Sequence, residues 1–368
     1  MKSAASRKLT WACPRSKPAE SRVWPRTHKL GSGNTNASGT RRPLRTHKGP
    51  ARRQDVPIAA NVLEAIGNTP LVQLHRVVPP GCARVLVKLE GANPTGNMKD
   101  RMAKAAIEAA ETSGRLRPGG TVVEEYTGGS TGASLALVCA AKGYRLHIVT
   151  SDAFSEEKIG SMRALGAEIT CIRSDNRQIT EKLVKDMIAA AREISQRPGH
   201  WWFDQLNNCD AAAGYYPLGE EIWKQTNGKL DAYVQSVGSA HSLLGVAKAL
   251  RRHNPDLYVA AAEPAESAVL SGKPKGSHRI EGIGIGFVPP LWDPDQVNTV
   301  LADTTAASNR MCRRLAREEG IFGGTSSGLN VIAALKLARK LGPDATVVTL
   351  IIDSGLRYLS TDVYRNDQ

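Results

Sequence analysis

What most constrains this chain is a rhythm that starts near residue 84: a short apolar run, a Gly- or Ser-rich turn, then a segment of helical length and periodicity. RVLVKLE (84 to 90) reads as a strand and KDRMAKAAIEAAETSG (99 to 114) as a helix closed by Gly114. TVVEEY (121 to 126), TGASLALVCAAKG (131 to 143) and RLHIVT (145 to 150) repeat the pattern, with Gly143 closing the second helix. EKIGSMRALGA precedes EITCI, a helix from about Arg177 to Ser195 precedes WWFD, and GYYPLGEEIWKQTNG precedes DAYVQSV. SLLGVAKALRR, LYVAAAE, two helices around 305 to 319 and 328 to 341, and TVVTLII complete the series. Strands separated by helices of this length are joined by right-handed crossovers into mainly parallel sheets. The expected class is therefore α/β, doubly wound, in two lobes with a cleft between them. The smaller lobe is placed at about 91 to 205, and the larger at about 56 to 90 plus 206 to 368. Such sheets hold ligands beyond the carboxyl ends of their strands, so the turns there carry the functional information.

Charge points elsewhere at first. The net charge is +14, yet residues 1 to 55 hold 14 Lys and Arg against 2 Asp and Glu, so 12 of those charges belong to that stretch. GSGNTNASGTRRP, within it, lacks the apolar periodicity that offsets ordering entropy, and the segment is expected to be a disordered basic extension of the 56 to 368 catalytic domain. The basicity is thus no signature of nucleic-acid binding by the folded part. The extension has no apolar core of secretory type, and nothing downstream reaches the length of a membrane span. Its Arg/Ser-rich, acid-poor composition also fits an organelle transit peptide. Six cysteines (Cys13, Cys82, Cys139, Cys171, Cys209, Cys312) form no C-x-x-C pair, which fits buried thiols in a reducing, cytoplasmic setting and suggests no metal site.

GANPTGNMKDR (91 to 101) places a lone lysine, Lys99, between a tight turn and a helix start. YTGGSTG (126 to 132) and SVGSAHS (236 to 242) each follow a strand and open a helix, offering backbone N–H groups and hydroxyls to an anion. GGTSSG (323 to 328) precedes a further helix and offers Ser326 and Ser327. Each turn alone could be punctuation. A dinucleotide site is the rival for the first, since Asp152 lies about 20 residues on; a G-x-G-x-x-G match would require glycine at 127, where the chain has Thr127. The combination of one turn lysine, two anion cradles and a serine pair at one sheet edge favours a phosphate-bearing cofactor.

Taken together, these motifs resemble the fold-type II pyridoxal-phosphate enzymes, the cysteine synthase and cystathionine β-synthase family, from IGNTPLVQL (66 to 74) to the last strand. The resemblance implies a fold like that of the tryptophan synthase β-subunit, pyridoxal 5'-phosphate as cofactor, and a homodimer. It assigns Lys99 as the Schiff-base lysine and catalytic base. It gives Thr127, Gly128, Ser130 and Thr131, with Gln205 of FDQLNN, to the substrate carboxylate, and Gly238, Ser239, Ala240, His241 and Ser242 to the phosphate. Ser326 would face the pyridine nitrogen, Ser130 the cofactor ring, and Gly282 to Gly286 of EGIGIGF the entrance. The implied reaction is β-replacement on an activated serine, O-acetylserine or serine with sulfide or a thiol, through an α-aminoacrylate. The alternative within the fold is a lyase, a cysteine desulfhydrase or serine/threonine deaminase. A NAD-dependent dehydrogenase, a nucleic-acid-binding protein and a non-catalytic partner are the readings from other classes.

A lysine that forms an imine needs a rigid approach and a depressed pKa, and a helix start supplies both. Departures from the family pattern stand at Ser130, where an asparagine is usual, at Gly128, where a serine is usual, and at Ser236, Ala240 and His241, where glycines are usual. His241 is expected either to add a cation beside the phosphate or to face solvent. His147 is expected in the core, Asp100 and Arg101 as support for the lysine's turn, WWF (201 to 203) as core, and Asp353 and Ser354 near the site by position alone.

Overall fold

The computed structural model describes residues 58–124, 127, 129–176 and 180–365. The expected N-terminal extension, Gly128 and the first residues of the helix expected from Arg177 lie outside them. Along the chain run β1 (Leu71–Gln73), β2 (Arg84–Leu89), α1 (Lys99–Thr112), β3 (Thr121–Glu124), α2 (Ser130–Lys142) and β4 (Arg145–Ser151). Then come α3 (Glu156–Ala164), β5 (Glu168–Ile172), α4 (Glu181–Ser195), β6 (His200–Trp202), α5 (Cys209–Ala213), α6 (Tyr216–Gln225) and β7 (Ala232–Ser236). The last third holds α7 (His241–Arg251), β8 (Tyr258–Pro264), β9 (Thr299–Asp303), α8 (Thr305–Arg314), α9 (Thr325–Leu341) and β10 (Thr346–Ile351).

Two sheets result. One has six strands in the order β1-β2-β10-β7-β8-β9, the other four in the order β5-β4-β3-β6. Every pairing is parallel except β1 with β2. The α/β class with mainly parallel sheets is therefore what the alternation dictates. Central strands are buried on both faces, all six residues of β10 and all four of β3 among them, as continuous apolar runs in covered parallel sheets must be. Two strands are absent from the sequence reading. β1 is an antiparallel edge of three residues, and β9 carries no long apolar run. Helix α9 begins at Thr325, so the serine pair lies inside its first turn and not ahead of it.

Buried charge fixes the helix that starts with the lysine. Arg101, two residues on, bridges Glu90 (2.7 Å) and Glu221 (2.7 Å), and Lys88 meets the same Glu221 at 2.7 Å. Asp100 accepts from the backbone N–H of Thr95 at 2.8 Å and from Ser134 Oγ of α2 at 2.6 Å, and also bonds the Thr95 hydroxyl. The expected support of the lysine's turn is thus borne by both residues. His147 is buried, with Nε2 on Thr170 Oγ1 at 2.8 Å, as a core histidine. Trp201 and Phe203 are buried in the core.

Candidate active site

Loops beyond the strand ends meet around the end of β10. Its continuation pairs Asp353 with Asn97 of the lysine's turn and Ser354 with Gly323 ahead of α9. Met98 N–H donates to the Ile352 carbonyl (3.1 Å) and Ser354 N–H to that of Gly96 (2.9 Å). A side chain at Gly324 would place its Cβ 2.3 Å from Asp353 Oδ1, so only glycine allows this approach. Glu281 N–H donates to Thr325 Oγ1 (3.0 Å), and Gly284 N–H to the Val237 carbonyl (3.0 Å). Gly238 packs so tightly on the next loop that a Cβ there would lie 2.5 Å from the Gly282 carbonyl oxygen. The lysine's turn, the serine pair, the glycine loop and the SVGSAHS turn are thus locked together, by backbone contacts and by the Thr325 hydroxyl. The loop after β6 joins them, since His241 bonds the carbonyl of Asn208 at 3.0 Å; Gln205 is half-buried in the same loop.

Lys99 is the first residue of α1, and its N–H is held by Asn97 Oδ1 at 2.7 Å. Its side chain is half-buried. Desolvation around the amine holds its pKa below the ordinary lysine value, while the carboxylates of Asp353 and Glu124 pull the other way. Both carboxylates are themselves buried. Burial raises the Asp353 carboxyl to about 6 although Tyr358 donates to its Oδ2 at 2.8 Å. Glu124 ends β3 and was not singled out in the sequence, which gives no local pattern for it.

Helix α7 opens at Ala240, whose φ of +71° is the left-handed conformation that glycine ordinarily occupies, and no side chain caps it. Its first N–H groups are therefore available to an anion. His241 corrects the sequence reading: it is buried rather than solvent-facing, and burial lowers its pKa to about 4, so it brings no cation. A carbonyl oxygen can only accept, so Nε2 carries the proton toward Asn208 and Nδ1 accepts from Ser239 Oγ at 2.6 Å. Ser242 Oγ accepts from Gln235 Nε2 at 2.6 Å.

At the start of α2, Thr127 Oγ1 accepts from the N–H groups of Gly129 (3.2 Å) and Gly132 (3.0 Å). Thr127 thus shapes the turn, keeping one hydroxyl proton to donate. Thr131 is buried, and Ser130, the first residue of the helix, is half-buried. Ser327 Oγ is occupied by the Ile352 N–H (2.9 Å), whereas Ser326, also buried in the first turn of α9, has no side-chain hydrogen bond among the described residues. Two further contacts had no local signal: Arg357 reaches Ser130 Oγ, and Lys158 of α3 forms an ion pair with Glu281 beside Gly282. Among the described residues no group of His, Cys, Asp and Glu could hold a metal ion. A polar depression of about 500 Å³ lined by Arg84, Asp231 and Thr346 lies at the opposite, amino-terminal ends of the strands, away from these turns.

These residues fit pyridoxal phosphate. Lys99 presents an amine biased toward its neutral form, the open end of α7 offers amides to a phosphate, and the Gly238 contact leaves the turn free of side-chain bulk. The family model of pyridoxal-phosphate dependent enzymes matches residues 62–353. A cysteine synthase of Staphylococcus aureus is 38% identical over 309 residues, covering 83% of this chain and 97% of its own length. The structure of O-acetyl serine sulfhydrylase isoform 3 from Entamoeba histolytica matches with a TM-score of 0.79 at 38% identity, covering 88% of this chain and 95% of that one. A hydrogen sulfide-producing enzyme from Fusobacterium nucleatum matches with a TM-score of 0.76 at 33% identity, over 83% of this chain and 99% of its own. Sequence, fold and the lysine-bearing turn agree, and the chain belongs to the pyridoxal-phosphate dependent enzymes.

Proposed function

We propose that this enzyme carries out β-replacement on an activated serine, O-acetylserine or serine, with sulfide or a thiol as the incoming nucleophile. The observation that carries the reading is Lys99 at the first position of α1, with its amine held toward the neutral form, beside an open helix terminus suited to phosphate. Likeness to the cysteine synthase and the O-acetyl serine sulfhydrylase supports the choice of substrate class. When bound, pyridoxal phosphate supplies an aldehyde for amines and a conjugated ring that draws electrons from Cα. Lys99 Nζ would bond that aldehyde at rest and take the substrate's Cα proton once displaced. Gly238 to Ser242 would hold the phosphate, Ser326 the ring nitrogen as a neutral partner, and Thr127, Ser130, Thr131 and Gln205 the substrate carboxylate. Gly282 would line the entrance.

The assignment includes a homodimer in the cytoplasm, built from a smaller lobe around the four-stranded sheet and a larger one around the six-stranded sheet. Cys82, Cys139, Cys171 and Cys312 carry free thiols, which supports a reducing compartment. No helix among the described residues is long and apolar enough to cross a membrane. A lyase is the second reading, favoured by the likeness to a hydrogen sulfide-producing enzyme. Incubating the loaded enzyme with O-acetylserine and sulfide separates them: cysteine is expected, and pyruvate alone would establish the lyase.

A further inference from the structure

Arg357 follows β10 in a short 3-10 turn and lies far from every motif that the sequence offers. Its Nη2 donates to Ser130 Oγ at 3.4 Å and its Nη1 to the Thr95 carbonyl at 3.3 Å. Its Nε is buried with no hydrogen-bond partner among the described residues. The guanidinium therefore stands between the lysine's turn and the first residue of α2 with donor capacity to spare. Two carboxyl groups feel its charge, Asp100 and Asp353, and each already has other partners: Thr95 and Ser134 for the first, Tyr358 for the second.

A guanidinium can donate but not accept. At this contact the serine oxygen is therefore the acceptor, and its own proton must point elsewhere. The N-cap of α2, Gly129, supplies no side-chain cap to the first N–H groups of the helix, of which Thr127 takes that of Gly132. An asparagine, the usual residue of the family at this position, brings an amide donor on a longer arm; a serine brings a proton that can rotate toward or away from the site. Arginine donation removes that freedom.

We propose that Arg357 is a positioning residue for the substrate carboxylate: it fixes Ser130 as a hydrogen-bond donor toward the open turn of α2 and sets a positive charge behind it. The inference rests on the function proposed above. It makes this turn selective for an anion, in place of the neutral amide donor that Ser130 has lost.

Two ligands without a leaving group test it on the pyridoxal-phosphate-loaded enzyme: L-alanine, and L-alaninamide, which lacks the carboxylate. Binding is followed as a change in the visible absorption spectrum, with wild type, Arg357→Met and Arg357→Lys compared. Arg357→Met is expected to weaken L-alanine by roughly tenfold or more, the scale of one charge-assisted hydrogen bond, while L-alaninamide is unchanged. Arg357→Lys, which keeps the charge, is expected to recover part of the loss and to melt like wild type. Equal weakening of both ligands would make Arg357 a structural residue and overturn the proposal, as would no change in either. If Arg357→Met does not fold, Arg357→Lys decides: a partial loss confined to L-alanine supports the proposal, and equal weakening of both ligands or no change in either overturns it. A wild-type protein with no visible band after addition of pyridoxal phosphate fails earlier, at the proposed function itself, and the inference falls with it.

Discussion

Asp353 pairs its backbone with Asn97, two residues before Lys99, so the last strand of the larger sheet carries a buried carboxyl to the lysine's turn. Burial raises that carboxyl to about 6, so it is charged above that pH, and its field raises the Lys99 amine. Asp353→Asn removes the field. The amine is then expected to lose its proton at lower pH, and the rate of pyridoxal-phosphate uptake by the cofactor-free protein should reach its plateau at lower pH than in wild type. An unchanged profile would show that Asp353 has no hold on the lysine.

His241 and Asp353 should oppose each other in the pH dependence of stability. A histidine lowered from 6.5 to about 4 stabilises the folded state above pH 6.5, and that contribution is lost as pH falls toward 4. A carboxyl raised from 3.8 to about 6 favours the folded state at low pH, and stability declines as pH rises from 3.8 toward 6. Shifts of this size correspond to contributions on the order of 3 kcal/mol each, and the slopes oppose each other in the shared window. Asp353→Asn should therefore steepen the loss of stability on acidification from pH 6.5 to 4.5, and His241→Gln should reduce or reverse it. Denaturant unfolding of the three proteins across that window measures both slopes.

How far the sequence leads is set by the range of the interaction that decides each feature. The sheets were legible because strand and helix periods are local, and so were the turns at Lys99 and Gly238, whose composition is local too; the serine pair at Ser326 was legible in composition, but it lies within α9 and not ahead of it. β1 is different: three residues become a strand only because β2 lies beside them. The state of His241 follows from burial and from Asn208, 33 residues away, so its charge could not be read from its neighbours. Arg357 reaches Ser130 across 227 positions, and no spacing rule connects them.

Arg101 tests how much of the site depends on buried charge. It is 4% exposed, Glu90 is fully buried, and Arg101 donates to Glu90 through two nitrogens, at 2.7 and 2.9 Å. Arg101→Met would strand Glu90 and weaken the hold on Glu221, whose pKa lies near 2 although burial alone would raise it, because Arg101 and Lys88 hydrogen-bond it. Breaking one member of such a network costs on the order of 3–5 kcal/mol. The expected result is a large fall in the denaturant midpoint, together with loss of cofactor affinity, since the same helix turn carries Lys99. A change below about 1 kcal/mol, the scale of an exposed ion pair, would contradict the network's role.

Ala240 holds φ at +71° where α7 begins, a conformation that costs an L-residue with a Cβ roughly 1–2 kcal/mol. Ala240→Gly relieves that cost and adds backbone freedom to the unfolded chain, which takes back about 0.4–1 kcal/mol. The net is a stabilisation on the order of 1 kcal/mol, read as a higher denaturant midpoint at unchanged slope. Gly238→Ala, two residues earlier, should act in the opposite sense, because its Cβ would meet the Gly282 carbonyl oxygen at 2.5 Å and push the glycine loop away. Release of pyridoxal phosphate from the loaded protein, followed by the decay of its visible band, should then be faster in Gly238→Ala than in wild type and no faster in Ala240→Gly. If Ala240→Gly instead destabilised the protein, the methyl group of Ala240 would be making packing contacts worth more than the strain of its backbone.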